Sequence, residues 1–376
     1  MSTSTAGPLS GLRVIELAGL GPAPMCAMLL ADLGASVLRV ERAQGTDLGV
    51  SLPRSHHVHL RSRPAITLDL KDSQDRAWLL GAVANVDILL EGFRPGVVER
   101  LGLGPADCHA LNPRLIYGRM TGWGQDGPLA QHAGHDINYI AVSGALATMG
   151  RSGQPPAVPL NLIADYGGGA LYLALGLLAA YIERERSGLG QVVDAAMVDG
   201  TASLLGMICG LLGAGHWVEQ RGQNILDSGA YFYDVYECAD HQWVAIGAIE
   251  RQFHDKLLRA LGFDESDLSA REDRSRWSDM RERLAAIFKT RPRAEWEAEL
   301  QPMDVCFSPV LSLSEAWRHP QLGGRGSYVD VQGIMQPAPA PRFSRTPPPP
   351  LKPIDDPNIG YEDLLAQWGL RSPHMN

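Results

Sequence analysis

The 376-residue chain is poor in cysteine, and the five it has (Cys26, Cys108, Cys209, Cys238, Cys306) are odd in number and never spaced C-x-x-C. That excludes a disulfide framework and a structural zinc site of the usual spacing, and it fits a reducing, cytoplasmic setting. Walker A and G-x-S-x-G patterns are absent, which removes P-loop phosphoryl transfer and the usual α/β-hydrolase nucleophile. Positive charge is not in excess: 33 Lys+Arg face 42 Asp+Glu, net −9, so no nucleic-acid or anionic-membrane partner is expected. No repeat of solenoid spacing is present. The N-terminus lacks the charged-then-apolar order of a signal peptide, and Ser372-Pro373-His374-Met375-Asn376 is not a peroxisomal SKL address. The longest apolar run, 167–182, is 16 residues rich in Gly and Ala; it falls short of a membrane span and reads as a buried helix packed closely on its neighbours.

What remains is an ordinary folded composition, 45% hydrophobic and 20% charged, with enough chain for two domains or one large α/β unit. Segment 12–17 reads as a strand, 18–24 as a Gly-Pro turn, 25–33 as an apolar helix and 36–40 as a second strand. The alternation continues with strands at 65–70, 86–91 and 115–120 and a helix at 75–84, which implies a mostly parallel, doubly wound sheet. From 167 to about 215 the chain is helical and apolar, broken by Ser187-Gly188-Leu189-Gly190 and a short strand at 191–194. Paired strands at 231–238 and 242–247 and amphipathic helices at 252–261 and 278–289 then describe a small α+β domain. Nine of the 26 prolines lie between 337 and 357, an extended strap.

Gly19-Leu20-Gly21 after the first strand, with Glu41 at the end of the next, nearly matches a dinucleotide fingerprint. Pro24 occupies the third glycine position, and Arg39 and Arg42 flank the acid, so a nucleotide carrying extra phosphates suits it better than a nicotinamide. His56-His57-Val58-His59 has no carboxylate or thiol at ligand spacing and reads as a solvated loop. Three acid–base candidates sit at backbone breaks: His135-Asp136, Asp165 before Gly167-Gly168-Gly169, and Glu250 at a strand end. Each has a bland account as well, since Asp is an ordinary N-cap, His beside Asp is common on surfaces and a strand-end Glu is usually solvated.

Taken in order, several segments resemble the family III CoA-transferase superfamily (CaiB/BaiF type), and within it the α-methylacyl-CoA racemases. They include Pro8-Leu9-Ser10-Gly11-Leu12-Arg13-Val14-Ile15-Glu16-Leu17, Ala31-Asp32-Leu33-Gly34-Ala35, Glu91-Gly92-Phe93-Arg94-Pro95-Gly96-Val97, and Arg100-Leu101-Gly102-Leu103-Gly104. Thr121-Gly122-Trp123-Gly124-Gln125, Gly134-His135-Asp136-Ile137-Asn138-Tyr139 and Asp165-Tyr166-Gly167-Gly168-Gly169 complete the set. The resemblance runs from about residue 8 to about residue 346. Position 135 favours the racemase branch: the transferases usually carry an aromatic residue there, the racemases a histidine. Asp165 is shared, a nucleophile in the transferases and a proton carrier in the racemases.

The resemblance implies racemisation by proton transfer at the carbon next to a thioester, which needs one base and one acid on opposite faces of an enolate. His135 and Asp165 would be that pair. Glu250 would hold the His135 ring, Asn161 and Tyr233 would position Asp165, and the backbone N–H of Asp136 would meet the enolate oxygen. Arg42, Arg94 and Arg100, with Arg63 and Lys71 behind them, would take the CoA phosphates, although 39–100 holds nine Lys/Arg against eight Asp/Glu and advertises no basic patch. The loop at 49–59 departs from the family and leaves the adenine contacts open. Met197, Met207 and Cys209 fit an acyl pocket and a plain core equally. The implied architecture is α/β: a Rossmann-like large domain (1–195), a connecting helical segment (196–225), a small α+β domain (226–310), and a return to the large domain with the Pro-rich strap (311–376). Two chains interlock as a homodimer, so Glu250 and Tyr233 would come from the partner. No metal and no cofactor beyond the CoA of the acyl-CoA substrate is implied. The competing expectations are a CoA-transferase with Asp165 as nucleophile and a non-catalytic acyl-CoA-binding protein.

Overall fold

The computed structural model describes residues 6–43, 52–354 and 360–373. The chain forms two compact units. The first is Met1–Ser143, Pro159–Leu204 and Gly324–Asn376; the second is Gly144–Val158 and Leu205–Gly323. The larger unit is thus assembled from both chain ends, and the segment 144–158 groups with the smaller one.

The larger unit alternates β1 (Arg13–Leu17), α1 (Pro22–Asp32), β2 (Ser36–Glu41), β3 (Ala65–Thr67), α2 (Ser73–Val83), β4 (Ile88–Glu91), α3 (Val97–Arg100), α4 (Pro105–Leu111), β5 (Ile116–Thr121), α5 (Asp136–Val142), α6 (Leu171–Ser187), β6 (Val192–Ala196) and α7 (Met197–Leu204). The six strands pair in parallel in the order β3-β2-β1-β4-β5-β6. Their apolar runs explain the choice: Val14, Ile15, Leu17, Leu38, Ile88, Leu89, Leu90 and Ile116 are all buried, as strands covered by helices on both faces must be. Strand order reverses between β1 and β4, which opens a crevice beyond their C-terminal ends.

Two helix boundaries differ from expectation. α1 begins at Pro22, not at 25, because proline is tolerated in a first turn where its missing N–H has no acceptor. Asp165 does not open a helix. It lies inside a π-helical turn, Leu162–Ala170, that runs straight into α6, so the apolar run belongs to a 26-residue helical stretch, Leu162–Ser187, long and apolar enough to cross a membrane by those measures alone. It is also only partly buried. Leu173 and Leu177 pack on Gly118 of β5, while Leu171, Leu175 and Ile182 are exposed.

In the second unit, α8 (Gly206–Gly213) precedes β7 (Tyr233–Glu237), β8 (Trp243–Gly247), α9 (Arg251–Ala260), α10 (Trp277–Phe288), α11 (Arg293–Leu300), β9 (Phe307–Pro309) and α12 (Leu313–Ala316). The expected pair β7–β8 is antiparallel and gains β9 as a third strand. Tyr236, Phe288 and Trp296 form the aromatic centre of its core, with Phe232 and Trp277 edge to face beside them. α13 (Pro320–Arg325) leads back to the larger unit, where β10 (Tyr328–Val331) and β11 (Ile334–Pro337) form a hairpin. The prolines of 338–354 then keep that stretch free of regular structure, and α14 (Tyr361–Trp368), absent from the sequence expectation, packs its Leu365 and Trp368 into the core.

One buried ion pair ties the chain's return to its start. Arg61 and Asp32 are each only 2% exposed at the side chain. The guanidinium donates to both Asp32 oxygens at 3.0 and 2.6 Å and, through Nη1, to Gln336 Oε1 at 2.9 Å and Pro337 O at 2.7 Å. Removing one partner of such a pair strands the other charge in low dielectric. Asp32→Ala is therefore expected to cost about 3–5 kcal/mol, read as a lower guanidinium-chloride midpoint, and an unmoved midpoint would show that the pair is dispensable.

Candidate active site

The loops that follow β1, β4 and β5 meet at the crevice. Leu20 and Pro22, Gly92 to Pro95, and Thr121 to Trp123 line a cleft whose remaining wall includes His132, Gly134, His135, Tyr139 and Met197. Tyr139 shapes that wall: its hydroxyl donates to Gly134 O at 2.6 Å, and its ring meets Trp123 edge to face at 4.8 Å. His135 caps α5 in an extended conformation, φ −130° and ψ 174°, with its backbone N–H donating to Asn138 Oδ1 at 3.0 Å. The cap leaves the imidazole exposed.

Asp136, the first residue of α5, turns the other way and is buried. Its Oδ2 accepts the backbone N–H groups of Ala164 and Asp165, each at 2.8 Å. The start of α5 and the π-helical turn are therefore pinned to each other, which brings His135 and Asp165 together. Asn161 Nδ2 donates to Asp165 Oδ2 at 3.2 Å. From the other side Gly21, at φ 64°, approaches so closely that a Cβ there would lie 3.4 Å from the same oxygen. Burial pushes the Asp165 carboxyl above the usual aspartate range; the Asn161 hydrogen bond pulls it down, the Asp136 charge pushes it up and His135 pulls it down. Burial is the largest of these influences.

A neighbouring cleft, sharing Leu20, opens beyond β1 and β2. It is lined by Arg42, Arg54, Glu41, His56, His57 and His59 among others. Arg54 reaches Glu41 at 3.0 Å. The histidine segment is not the solvated loop expected: residues 54–56 and 58–60 form two short 3₁₀ turns, and His59 is half-buried with its ring edge-on to Tyr166 at 5.4 Å. Burial, with the charges of Arg63, Arg61 and His57, holds the His59 imidazole below its ordinary value. Residues 49–51 of the divergent loop lie outside the described residues.

The expected basic residues divide. Arg94 is exposed in the His135 cleft and Arg42 lines its neighbour. Arg100, at the end of α3, and Lys71, before α2, are exposed and line neither cleft. Arg63 is corrected outright: its side chain is fully buried and its Nη1 sits 2.6 Å from Glu16 Oε2, inside a network that also holds Arg39. In the second unit Tyr233 opens β7 opposite Gly247, and Glu250 is the exposed residue that precedes α9. Among the described residues no group of three or more His, Cys, Asp or Glu could hold a metal.

The profile of CoA-transferase family III matches residues 9–362. The chain belongs to that family. It is 44% identical over 365 residues to the α-methylacyl-CoA racemase of Mus musculus, covering 96% of this chain and 93% of the mouse protein. To the α-methylacyl-CoA racemase of Homo sapiens it is 42% identical over 366 residues, covering 96% and 94%. Among solved structures it is similar to a CAIB/BAIF family protein from Brucella suis, with a TM-score of 0.82 and 26% identity over 96% of this chain and 99% of that one.

Within this family III chain, motif matching names residues that the structure gathers at one cleft, and it carries no sign of how they are held. The Asp136 carboxylate, the approach of Gly21 and the presence of Arg54 and His59 in a cleft have no local signal except the adjacency of His135 and Asp136. Asn161 was found, and its effect has a definite sign. Asn161→Ala removes a donor from the anionic form of Asp165, so the carboxyl holds its proton to higher pH. The Asp165-dependent limb of a pH–rate profile is expected to move upward, and a downward or absent shift would remove Asn161 from the site.

Proposed function

We propose that this chain is an α-methylacyl-CoA racemase, epimerising 2-methyl-branched acyl-CoA thioesters by carrying the α-proton from one face to the other through an enolate. The observation that carries the reading is the juxtaposition of an exposed His135 imidazole with an Asp165 carboxyl raised above its usual range. The full-length similarity to two racemases supports it. A group that must both take and give a proton works best when its two forms are closely matched in energy, and a partly desolvated aspartate approaches that balance.

In this reading His135 and Asp165 exchange the roles of base and acid with the direction of reaction. The Asp136 N–H lies in the first turn of α5, where no intrahelical acceptor exists, and meets the enolate oxygen; a donor of this kind is worth about 3 kcal/mol. Arg42 and Arg94, which line the two clefts, take the CoA phosphates. The only cofactor is the CoA that the substrate brings. Glu250 and Tyr233 complete the site from the partner in an interlocked homodimer, a role supported by the exposed Leu171, Leu175 and Ile182 along one face of α6.

The test follows α-proton loss and epimer formation by NMR, with a single-epimer 2-methylacyl-CoA in D₂O. Exchange with epimerisation, needing no carboxylate acceptor, is the expected result. Exchange absent but CoA transfer present once an acceptor is added would instead make Asp165 the nucleophile of a transferase. His135→Ala is expected to slow exchange by roughly 10²- to 10⁴-fold with CoA binding retained, and unchanged exchange would eliminate its role. Arg94→Ala is expected to weaken CoA binding by about 10- to 100-fold, the equivalent of one charged hydrogen bond; calorimetry giving an unaltered Kd would take Arg94 out of the site.

A further inference from the structure

Asp136 is 4% exposed, and its carboxylate accepts two backbone N–H groups. While Oδ2 accepts from Ala164 and Asp165 at 2.8 Å, Oδ1 is buried with no hydrogen-bond donor among the described residues. A neutral acceptor could hold the same N–H groups without burying a charge, an arrangement that costs free energy. The charge strengthens both bonds of the clamp, and it also acts beyond them. Its nearest use lies one hydrogen bond away, since the N–H it accepts belongs to the residue whose carboxyl faces His135.

We propose that the Asp136 carboxylate is a positioning residue for Asp165, pinning the turn that carries it through two backbone N–H groups while facing it with a negative charge. The inference rests on the racemase reading for its importance to turnover, and on geometry alone for its existence. A like charge close by opposes ionisation of its neighbour, so Asp136 keeps Asp165 able to hold a proton. The other groups bearing on Asp165 are His135 at the α5 cap, which favours its anion, and the Asn161 amide on its own segment. Tyr139 of α5 and Tyr166 beside it are phenols whose own ionisation is pushed up by burial and by the Asp165 charge. Gly21, just before α1, approaches the carboxyl with no side chain of its own. Among these groups it is the Asp136 charge that works against Asp165 ionisation.

Asp136→Asn separates the two functions, because its amide oxygen can still accept both N–H groups while the charge is gone. With Asp-carboxyl ¹³C labelling and assignment by Asp165→Asn, the Asp165 titration midpoint is expected to move to lower pH in Asp136→Asn. The Asp165-dependent limb of the exchange profile is expected to move with it. Asp136→Ala loses clamp and charge together and is expected to lower kcat about 10²-fold with KM little changed, the cost of a misplacement near 1 Å. A purely structural residue would change melting temperature and leave the midpoint where it is. A midpoint unmoved in Asp136→Asn, or an alanine variant as fast as the parent, overturns the proposal. Should the asparagine variant fail to fold, Asp136→Ser keeps one acceptor without the charge, and the same downward movement is expected. The carbon titration needs no turnover, so a protein that exchanges no α-proton would refute the racemase reading while this proposal is still decided by the carboxyl signal.

Discussion

Two hydrogen bonds from backbone N–H groups to one buried carboxylate hold the site together. His135 and Asp165 are 30 positions apart and lie on separate elements that both pack on α7. Asp136 adds the hydrogen bonds that tie one to the other, accepting from Ala164 and Asp165 at 2.8 Å. Charge-assisted bonds of this type are short and strong and become stronger away from water. They also act on the backbone, so they fix the path of the turn and leave the Asp165 side chain for chemistry.

The turn itself depends on what lies behind it. A π-helical turn widens the helix and recurs at functional sites, and here it is pressed from three sides. α7 passes so near that a Cβ on Gly168 would collide with Thr201, and one on Gly200 would collide with the Gly168 backbone. α1 closes in at Gly169 through Pro22, and Gly21 reaches the Asp165 carboxyl. The glycine run after Asp165 is thus a packing requirement: it lets α1 and α7 close on the turn, and Gly21 extends the same economy to the site. Because α1 follows β1 and the Arg94 loop follows β4, the strand-order reversal between β1 and β4 delivers both to one crevice. Parallel topology and active-site position are in this sense a single fact.

Much of this was legible in the sequence. The βαβ opening, the parallel sheet and the β7–β8 pair followed from apolar periodicity and turn residues, and His135, Asp165, Asn161 and Arg94 followed from motif resemblance. What escaped has physical reasons. Helix starts at Pro22 and in the π-turn were misjudged because periodicity marks the middle of an element and not its ends. The resemblance points to Arg63 as a phosphate ligand, but a guanidinium in a core carries the same sequence signature as one in a cleft, and the burial of Arg63 beside Glu16 decides the matter. That network also explains why charge counting over 39–100 was uninformative. Arg39, Arg61 and Arg63 are matched by Glu41 and by Glu16 and Asp32, two acids outside the segment, so a count within 39–100 does not show which guanidiniums are taken, and Arg94 stands exposed at the crevice.

The same logic of opposed terms governs Asp165. A fully solvated aspartate would be a poor acid near neutral pH, and a fully buried one a poor base. The structure sets burial and the Asp136 charge against the Asn161 amide and His135, two influences on each side. None of the four is needed to make the carboxyl reactive in one direction only. A nucleophile gains nothing from a neighbour that opposes its ionisation, since the anion is the attacking form. A proton carrier that must return what it takes gains from both sets. In the racemase reading, the balance around Asp165 suits a carboxyl that must return the proton it takes.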